Sequence, residues 1–174
     1  MPPDDVEGVV AMGVFTASGE TLLAATPEEV YDFVSNPHNW PKLYRGSAGV
    51  QSEIRLPVQV GDTWSETVAV GEDFSCRSTW TLITAVRPRK WVFQQVNGIG
   101  AAPDGSGGVD GITTISYTFA PAGDGTLFHR SIHCEMPHGT VIAEKLLLAR
   151  ANPANIEHYQ LGVEREILKE RANA

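Results

Sequence analysis

The sequence predicts an α+β fold in which a curved antiparallel sheet wraps around a long C-terminal helix. Residues 47–136 contain short strand-forming segments separated by turn residues, and residues 137–174 contain the only long helical segment. Two short helical segments follow the first strand-forming stretch. A sheet with one apolar face has to cover that face. We therefore expect a seven-stranded sheet to curl around the C-terminal helix and to leave a cavity between them.

The composition bounds the possible partners of the protein. The chain has 174 residues, a formal net charge of −8 and a pI near 5.0. Nucleic acids and anionic membrane surfaces bind basic patches, so neither is an expected partner. No apolar run reaches the length of a membrane span, and the acidic N-terminus lacks the basic region of a secretory signal. We expect one domain over residues 1–174, in the cytoplasm.

The N-terminal part is expected to hold a flexible arm, one strand and two short helices. The arm is assigned to residues 1–12, and the strand to Val14–Ala24. Thr26 followed by Pro27 and two glutamates is typical of a helix start, with the threonine as N-cap. Residues 38–45 predict a second short helix or turn.

Six further strands are predicted from β-forming residues bounded by turn signals. Residues 98–111 are rich in glycine and are expected to form either a disordered hairpin tip or a flap over the cavity mouth. The six strands are Val50–Leu56, Thr63–Val70, Phe74–Val86, Lys90–Asn97, Ile112–Phe119 and Leu127–Met136.

The C-terminal helical segment divides into two parts. Apolar residues at helical spacing predict a short amphipathic helix over Thr140–Ala151. Asn152 suits an N-cap and Pro153 the first helical position, so a second helix is expected to begin there, although the proline could instead kink one continuous helix. Four residues form the apolar stripe of this second helix: Ile156, Tyr159, Val163 and Ile167.

The opening of the chain and the order of its elements resemble a known superfamily. The stretch TPEEVYDFV at residues 26–34, the following Asn36-Pro37 and Trp40-Pro41, and GDTW at residues 61–64 are similar to the START-like, Bet v 1-like superfamily. That superfamily includes polyketide cyclase/dehydrase and lipid-transport proteins. The resemblance covers almost the whole chain and implies a helix-grip fold with an apolar cavity. It does not fix the function, because carriers, cyclases, chaperone activators and resistance proteins share this fold.

Alternation along the strands predicts which side chains face the cavity. Glu66 and Arg130 are opposite charges on a mostly apolar face, where an unpaired charge is expensive. They would either orient a ligand or pair for structural reasons alone. The predicted ligand-binding residues are Trp64, Glu66, Phe74, Cys76, Trp80, Gln95, Tyr117, Arg130, Met136 and Tyr159.

Metal and nucleophile signals are weak. His129 and His133 are four residues apart on one strand, about 13 Å at strand rise, which is too far for one metal ion. Ser131 and His133 lack the elements of a catalytic triad. Cys76 and Cys134 are expected to be packed, reduced thiols. We therefore expect neither a metal nor a cofactor.

Three functions remain open. The first is binding or transport of a small, largely hydrophobic, aromatic or polyketide-like molecule. The second is a polyketide cyclase, dehydratase or aromatase-like enzyme, with Glu66 as base, Tyr117 as donor to an enolate and Arg130 as oxyanion or carboxylate clamp. The third is a chaperone-activator-like module, which an exposed apolar patch would distinguish. The sequence leaves open whether the protein is an enzyme and whether it is a monomer or a homodimer.

Overall fold

A computed structural model of the chain describes residues 9–44, 46–51, 53–70, 72 and 74–174. Within these residues the strands form one open sheet, and the helices cover it. The elements are β1 (Val9–Leu23), α1 (Pro27–Val34), a 3-10 helix (Pro37–Lys42), β2 (Ser47–Val50), β3 (Thr63–Ala69), β4 (Ser75–Val86), β5 (Lys90–Val96), β6 (Ile112–Ala122), β7 (Gly125–Ala143), α2 (Glu144–Ala151) and α3 (Pro153–Ala172).

The sheet is antiparallel throughout and has the strand order β1-β7-β6-β5-β4-β3-β2. The first strand therefore joins the last strand at one end of the sheet, and consecutive strands follow from there. Helix α3 packs against β1 and α1. The predicted fold class, a seven-stranded sheet with two short helices after β1 and a long C-terminal helix, is confirmed.

Local sequence signals correctly predict where α1 and α3 begin. Thr26 caps α1 through a reciprocal pair of hydrogen bonds with Glu29, the arrangement known as a capping box. The side chain of Asn152 accepts a hydrogen bond from the Ala154 amide at the start of α3. The predicted break before Pro153 is therefore present.

Helix α2 is shorter than the sequence indicates. Strand β7 continues to Ala143, and the predicted helix over Thr140–Ala151 is wrong for its first four residues. These residues pair with β1, where Val10 lies opposite Ile142. Because β1 begins at Val9, the predicted flexible arm is also wrong for residues 9–12, while residues 1–8 lie outside the described range.

Two other segments differ from the prediction. The predicted strand Val50–Leu56 is wrong, since β2 ends at Val50 and the described residues from Gln51 to Asp62 form no strand. The glycine-rich segment of residues 98–111 is not a disordered tip. It folds back on itself through a bridge between Ile99 and Val109, and Ile99 is buried.

An aromatic core fills part of the space between sheet and helices. The rings of Trp64 and Trp91 are stacked with centroids 5.7 Å apart, and Trp40 lies edge-on to both. The Phe93 and Tyr117 rings continue this cluster along the sheet. No helix among the described residues is long and apolar enough to cross a membrane.

Candidate ligand-binding site

A cavity of about 380 Å³ lies between the sheet and helices α2 and α3. Strands β3, β4, β6 and β7 supply its walls on the sheet side. Its lining combines aliphatic and aromatic surface with a small number of polar groups, which is the usual character of a small-molecule site. The lining residues are Leu43, Tyr44, Gly46, Glu66, Val68, Ala69, Val70, Cys76, Ser78, Trp80, Thr113, Ile115, Arg130, Ile132, Leu146, Ala149, Arg150, Asn155, Ile156, His158 and Tyr159.

Among the described residues, Glu66 is the only one with a carboxylate in the cavity lining, and its side chain is buried. The Trp80 indole N–H donates to one of its oxygens and the Tyr44 hydroxyl donates to the other, each at 3.3 Å. Burial raises the pKa of Glu66 from 4.5 to about 7, although these two donors and the nearby Arg150 and Arg130 lower it in part. Near neutral pH the carboxyl group can therefore either hold or release a proton.

Arg130 lies among tyrosine rings. Its guanidinium carbon is 4.1 Å from the centre of the Tyr159 ring and 5.8 Å from that of Tyr117. The Tyr117 hydroxyl donates to the Tyr159 hydroxyl at 3.1 Å, and burial raises the pKa of both phenols. The phenols are therefore neutral near pH 7 and stabilise the guanidinium through their π faces.

Arg150 reaches the cavity from α2. It donates to the hydroxyls of Thr113 and Ser78, at 3.3 Å each. The sequence-based prediction misses Arg150 and Tyr44. The position of Arg150, four residues after the buried Leu146, was a usable signal, because residues four apart share a helix face.

The structure places five of the ten predicted ligand-binding residues in the cavity wall: Glu66, Cys76, Trp80, Arg130 and Tyr159. Tyr117 lies behind the wall and reaches it through Tyr159.

The other four lie outside the lining. Trp64 and Met136 are buried in the core, and Gln95 donates to the Gly98 carbonyl at 3.0 Å. The Phe74 ring lies 4.9 Å from the Lys145 ammonium group. No residue of the segment 98–111 lines the cavity, so the structure gives no support to a flap there.

Both cysteines are buried and free. Cys76 lines the cavity, where burial raises the pKa of its thiol, and Cys134 accepts a hydrogen bond from Thr113 at 3.4 Å. On the other side of β7, His133 contacts Glu135 at 3.1 Å and the Thr16 hydroxyl at 2.7 Å. Among the described residues, no group of three His, Cys, Asp or Glu side chains is arranged to hold a metal ion.

Solved structures share this fold at low sequence identity. Ara h 8.0201 superimposes with a TM-score of 0.65 at 12% identity, over 90% of this chain and 99% of its own. A point mutant of norcoclaurine synthase from Thalictrum flavum, solved with a transition-state analogue, gives 0.62 at 14% identity, over 93% of this chain and 99% of its own. The di-domain aromatase/cyclase (ARO/CYC) StfQ from the steffimycin biosynthetic pathway gives 0.66 at 15% identity, over 93% of this chain and 53% of its own.

The family assignment comes from the sequence itself. No curated protein matches the chain significantly. A family model described as polyketide cyclase/dehydrase and lipid transport matches residues 14–162, which is most of the chain. Such a family is consistent with binding of a hydrophobic ligand or with cyclase chemistry. The chain belongs to the polyketide cyclase/dehydrase and lipid transport family.

Proposed function

We propose that this protein binds a small, largely hydrophobic ligand with an aromatic or polyketide-like body in the cavity between the sheet and helices α2 and α3. The observation that carries the proposal is the composition of the cavity wall. Aliphatic side chains such as Val68, Ile115 and Ile132 surround a polar cluster formed by Glu66, Arg130 and their partners. An apolar wall supplies affinity and a few polar groups supply orientation. The family assignment supports the same conclusion.

Binding can be tested with phenylnaphthylamine, an uncharged dye whose fluorescence rises in apolar surroundings. We expect one dye molecule to bind per chain. Ala149→Trp should abolish binding, because Ala149 lines the cavity, whereas Leu148→Trp should not, because Leu148 is 59% exposed and lies outside the lining. No dye binding by the wild-type protein, or equal binding by both variants, would contradict the proposal.

A second function, proton transfer in a cyclase-type reaction, is favoured by one observation. The pKa of Glu66 is raised to about 7, the range in which a carboxylate is an effective general base at neutral pH. Glu66 would remove a proton from the carbon next to a ketone, and Arg130 would stabilise the resulting enolate. In this proposal Tyr159, rather than Tyr117, donates a hydrogen bond to the enolate, since Tyr159 lines the cavity and Tyr117 reaches it through the Tyr159 hydroxyl.

Proton transfer can be measured without knowing the natural substrate. The methyl hydrogens of acetylnaphthalene exchange with deuterated water only when an enolate forms. We expect the wild-type protein to accelerate this exchange and Glu66→Gln to abolish the acceleration. Glu157→Gln, which removes an exposed carboxylate, is the matched control. Equal exchange in the Glu66 and Glu157 variants would remove the enzymatic proposal and leave the binding proposal intact.

We propose a single domain over residues 1–174 that works in the cytoplasm. The net charge of −8 disfavours nucleic acid and anionic membranes as partners. The presence of a cavity favours a small-molecule partner over a chaperone-type protein partner. Light scattering of the purified protein would distinguish a monomer from a homodimer.

A further inference from the structure

The two arginines of the cavity differ from three arginines on the surface that are paired with carboxylates. Arg87, Arg165 and Arg171 each form a salt bridge with a carboxylate. Within the described part of the chain, neither Arg130 nor Arg150 has a carboxylate within 4.0 Å. The cavity therefore holds two guanidinium groups without an anionic partner in a protein of net charge −8.

The hydrogen-bond and ring partners of these two charges in the described structure are neutral groups. Arg150 donates to the hydroxyls of Thr113 and Ser78, and Arg130 lies against the faces of the Tyr159 and Tyr117 rings. The Nε atom of Arg130 is buried and has no hydrogen-bond partner in the described structure. A buried charge is costly unless an opposite charge and hydrogen bonds compensate it. The site is thus incomplete without an anion.

Glu66 does not supply that anion. Its two oxygens accept from Trp80 and Tyr44 rather than from either arginine. Its carboxyl group is also partly protonated near neutral pH, because burial raises its pKa to about 7. The cavity therefore keeps a net positive charge even when Glu66 is ionised.

We infer that the ligand of this cavity is an amphipathic organic acid whose carboxylate is bound by Arg150, with Arg130 as the second positive charge of the site. This inference rests on the proposed binding function and adds the chemical class of the ligand. The planar guanidinium group presents paired donors that match the two oxygens of a carboxylate. Ile115, Ile132 and Leu146 provide apolar surface for the body of the ligand.

The test compares two ligands of nearly equal shape. Naphthoate carries a carboxylate, and naphthamide replaces it with an uncharged amide. Each is titrated against the complex of the full chain with phenylnaphthylamine, and displacement of the dye is measured. The titrations are repeated with Arg150→Met, which removes the charge but keeps an apolar side chain, and with Arg150→Lys, which keeps the charge but not the paired donors. Arg89→Met, a surface arginine outside the cavity, is the matched control.

We expect naphthoate to displace the dye from the wild-type protein and from Arg89→Met at a concentration about tenfold lower than naphthamide, because a charge-assisted bidentate pair is roughly twice as strong as a neutral hydrogen bond. In Arg150→Met the two ligands should differ by less than about twofold, and Arg150→Lys should lie between these limits.

Three results would overturn the inference. These are equal potency of the two ligands in the wild-type protein, a preference for naphthoate that Arg150→Met leaves unchanged, and no displacement by naphthoate up to its solubility limit. Each of these presupposes that the dye binds, so the binding proposal would survive. A wild-type protein that fails to bind the dye would overturn the proposed function as well.

Discussion

The guanidinium carbon of Arg130 lies 4.1 Å from the centre of the Tyr159 ring, and this contact joins the sheet to the C-terminal helix at the cavity wall. Arg130 belongs to β7 and Tyr159 to α3. A cation over an aromatic face contributes about 0.5–2 kcal/mol, less than the usual cost of burying a charge without an anionic partner. Stability therefore does not account for a buried Arg130, which agrees with its proposed role as the second positive charge of the ligand site.

The first prediction concerns the stability of an Arg130 variant. Arg130→Met should change the free energy of unfolding by less than about 1 kcal/mol, or increase it, since the substitution removes a desolvated charge and keeps apolar volume. Urea denaturation monitored by tryptophan fluorescence measures the change. A loss of more than about 2 kcal/mol would show that Arg130 is mainly structural.

The second prediction concerns the pH dependence of stability. The pKa of Glu66 rises from 4.5 to about 7 on folding, so the folded protein binds more protons than the unfolded chain between these values. Stability should therefore fall as the pH rises from about 4.5 to about 8, and the loss from this group is about 3 kcal/mol. Glu66→Gln should remove that loss.

Urea denaturation of the two proteins at several pH values provides the measurement. We expect Glu66→Gln and the wild-type protein to differ little near pH 4.5, and the variant to be more stable at pH 8. Glu157→Gln, at an exposed position, should follow the wild-type curve. Parallel curves for Glu66→Gln and the wild type at all pH values would contradict the raised pKa.

The third prediction links the charge of Glu66 to ligand binding. In the proposed complex, a carboxylate bound by Arg150 would lie near Glu66, because Arg150 itself interacts electrostatically with Glu66, so ionisation of Glu66 should repel it. The affinity for naphthoate should fall as the pH rises through about 7, while the affinity for naphthamide stays constant. Glu66→Gln should remove the pH dependence.

The other ionisable groups at the cavity define the controls for this third measurement. Five other ionisable side chains line the cavity with Glu66: Tyr44, Cys76, Tyr159, Arg130 and Arg150. Burial raises the pKa of the two phenols and of the thiol. His158 also lines the cavity, so His158→Gln is needed beside Glu66→Gln. A pH dependence that disappears in His158→Gln but persists in Glu66→Gln would assign the effect to the histidine.

The fourth prediction tests the ordered structure of the segment 98–111. Gly107 and Gly108 both have positive φ angles, of 68° and 81°. A Cβ atom at Gly108 would lie 2.7 Å from the carbonyl carbon of Gly98, whereas one at Gly107 would have no neighbour within 4 Å. Gly107→Ala should cost about 1 kcal/mol for the left-handed backbone alone, and Gly108→Ala should cost clearly more. Equal costs in urea denaturation would indicate that the segment is loosely packed.

The fifth prediction concerns a polar link between α3 and the sheet. The fully buried side chain of Gln160 donates to the carbonyls of Phe128 and Gly19, at 2.7 and 3.1 Å, and accepts from the Thr21 hydroxyl at 2.8 Å. Gln160→Met should reduce the free energy of unfolding by about 2 kcal/mol, because it removes the partners of buried polar groups. Gln51→Met, at an exposed position, should have little effect, and a similar loss in both variants would contradict this role.

Several features of the fold were predictable because their signals are local. The N-caps Thr26 and Asn152 are each followed by proline, and the structure begins α1 and α3 there. Alternation along β4 correctly places Cys76, Ser78 and Trp80 on the buried face.

Other features depend on contacts between distant parts of the chain. Val141 and Ile142 fit a helical pattern, but they belong to β7 because their backbone pairs with β1. Strand alternation also predicts which residues point inward without indicating whether a neighbour fills the space. Trp64 therefore packs in the core, whereas Trp80, its cross-strand partner, lines the cavity.

The order of most strands and helices, the family, and the inward position of the charged residues Glu66 and Arg130 were predictable from the sequence alone, because periodicity, helix caps and residue type are local properties. The three-dimensional packing was needed to show that these two charges do not pair and that Arg150 and Tyr44 line the cavity with them. The positions of Arg150 and Tyr44 depend on how α2 and the segment after the 3-10 helix pack against the sheet. This packing results from many weak contacts between residues far apart in sequence, so it cannot be predicted from any single stretch of the chain.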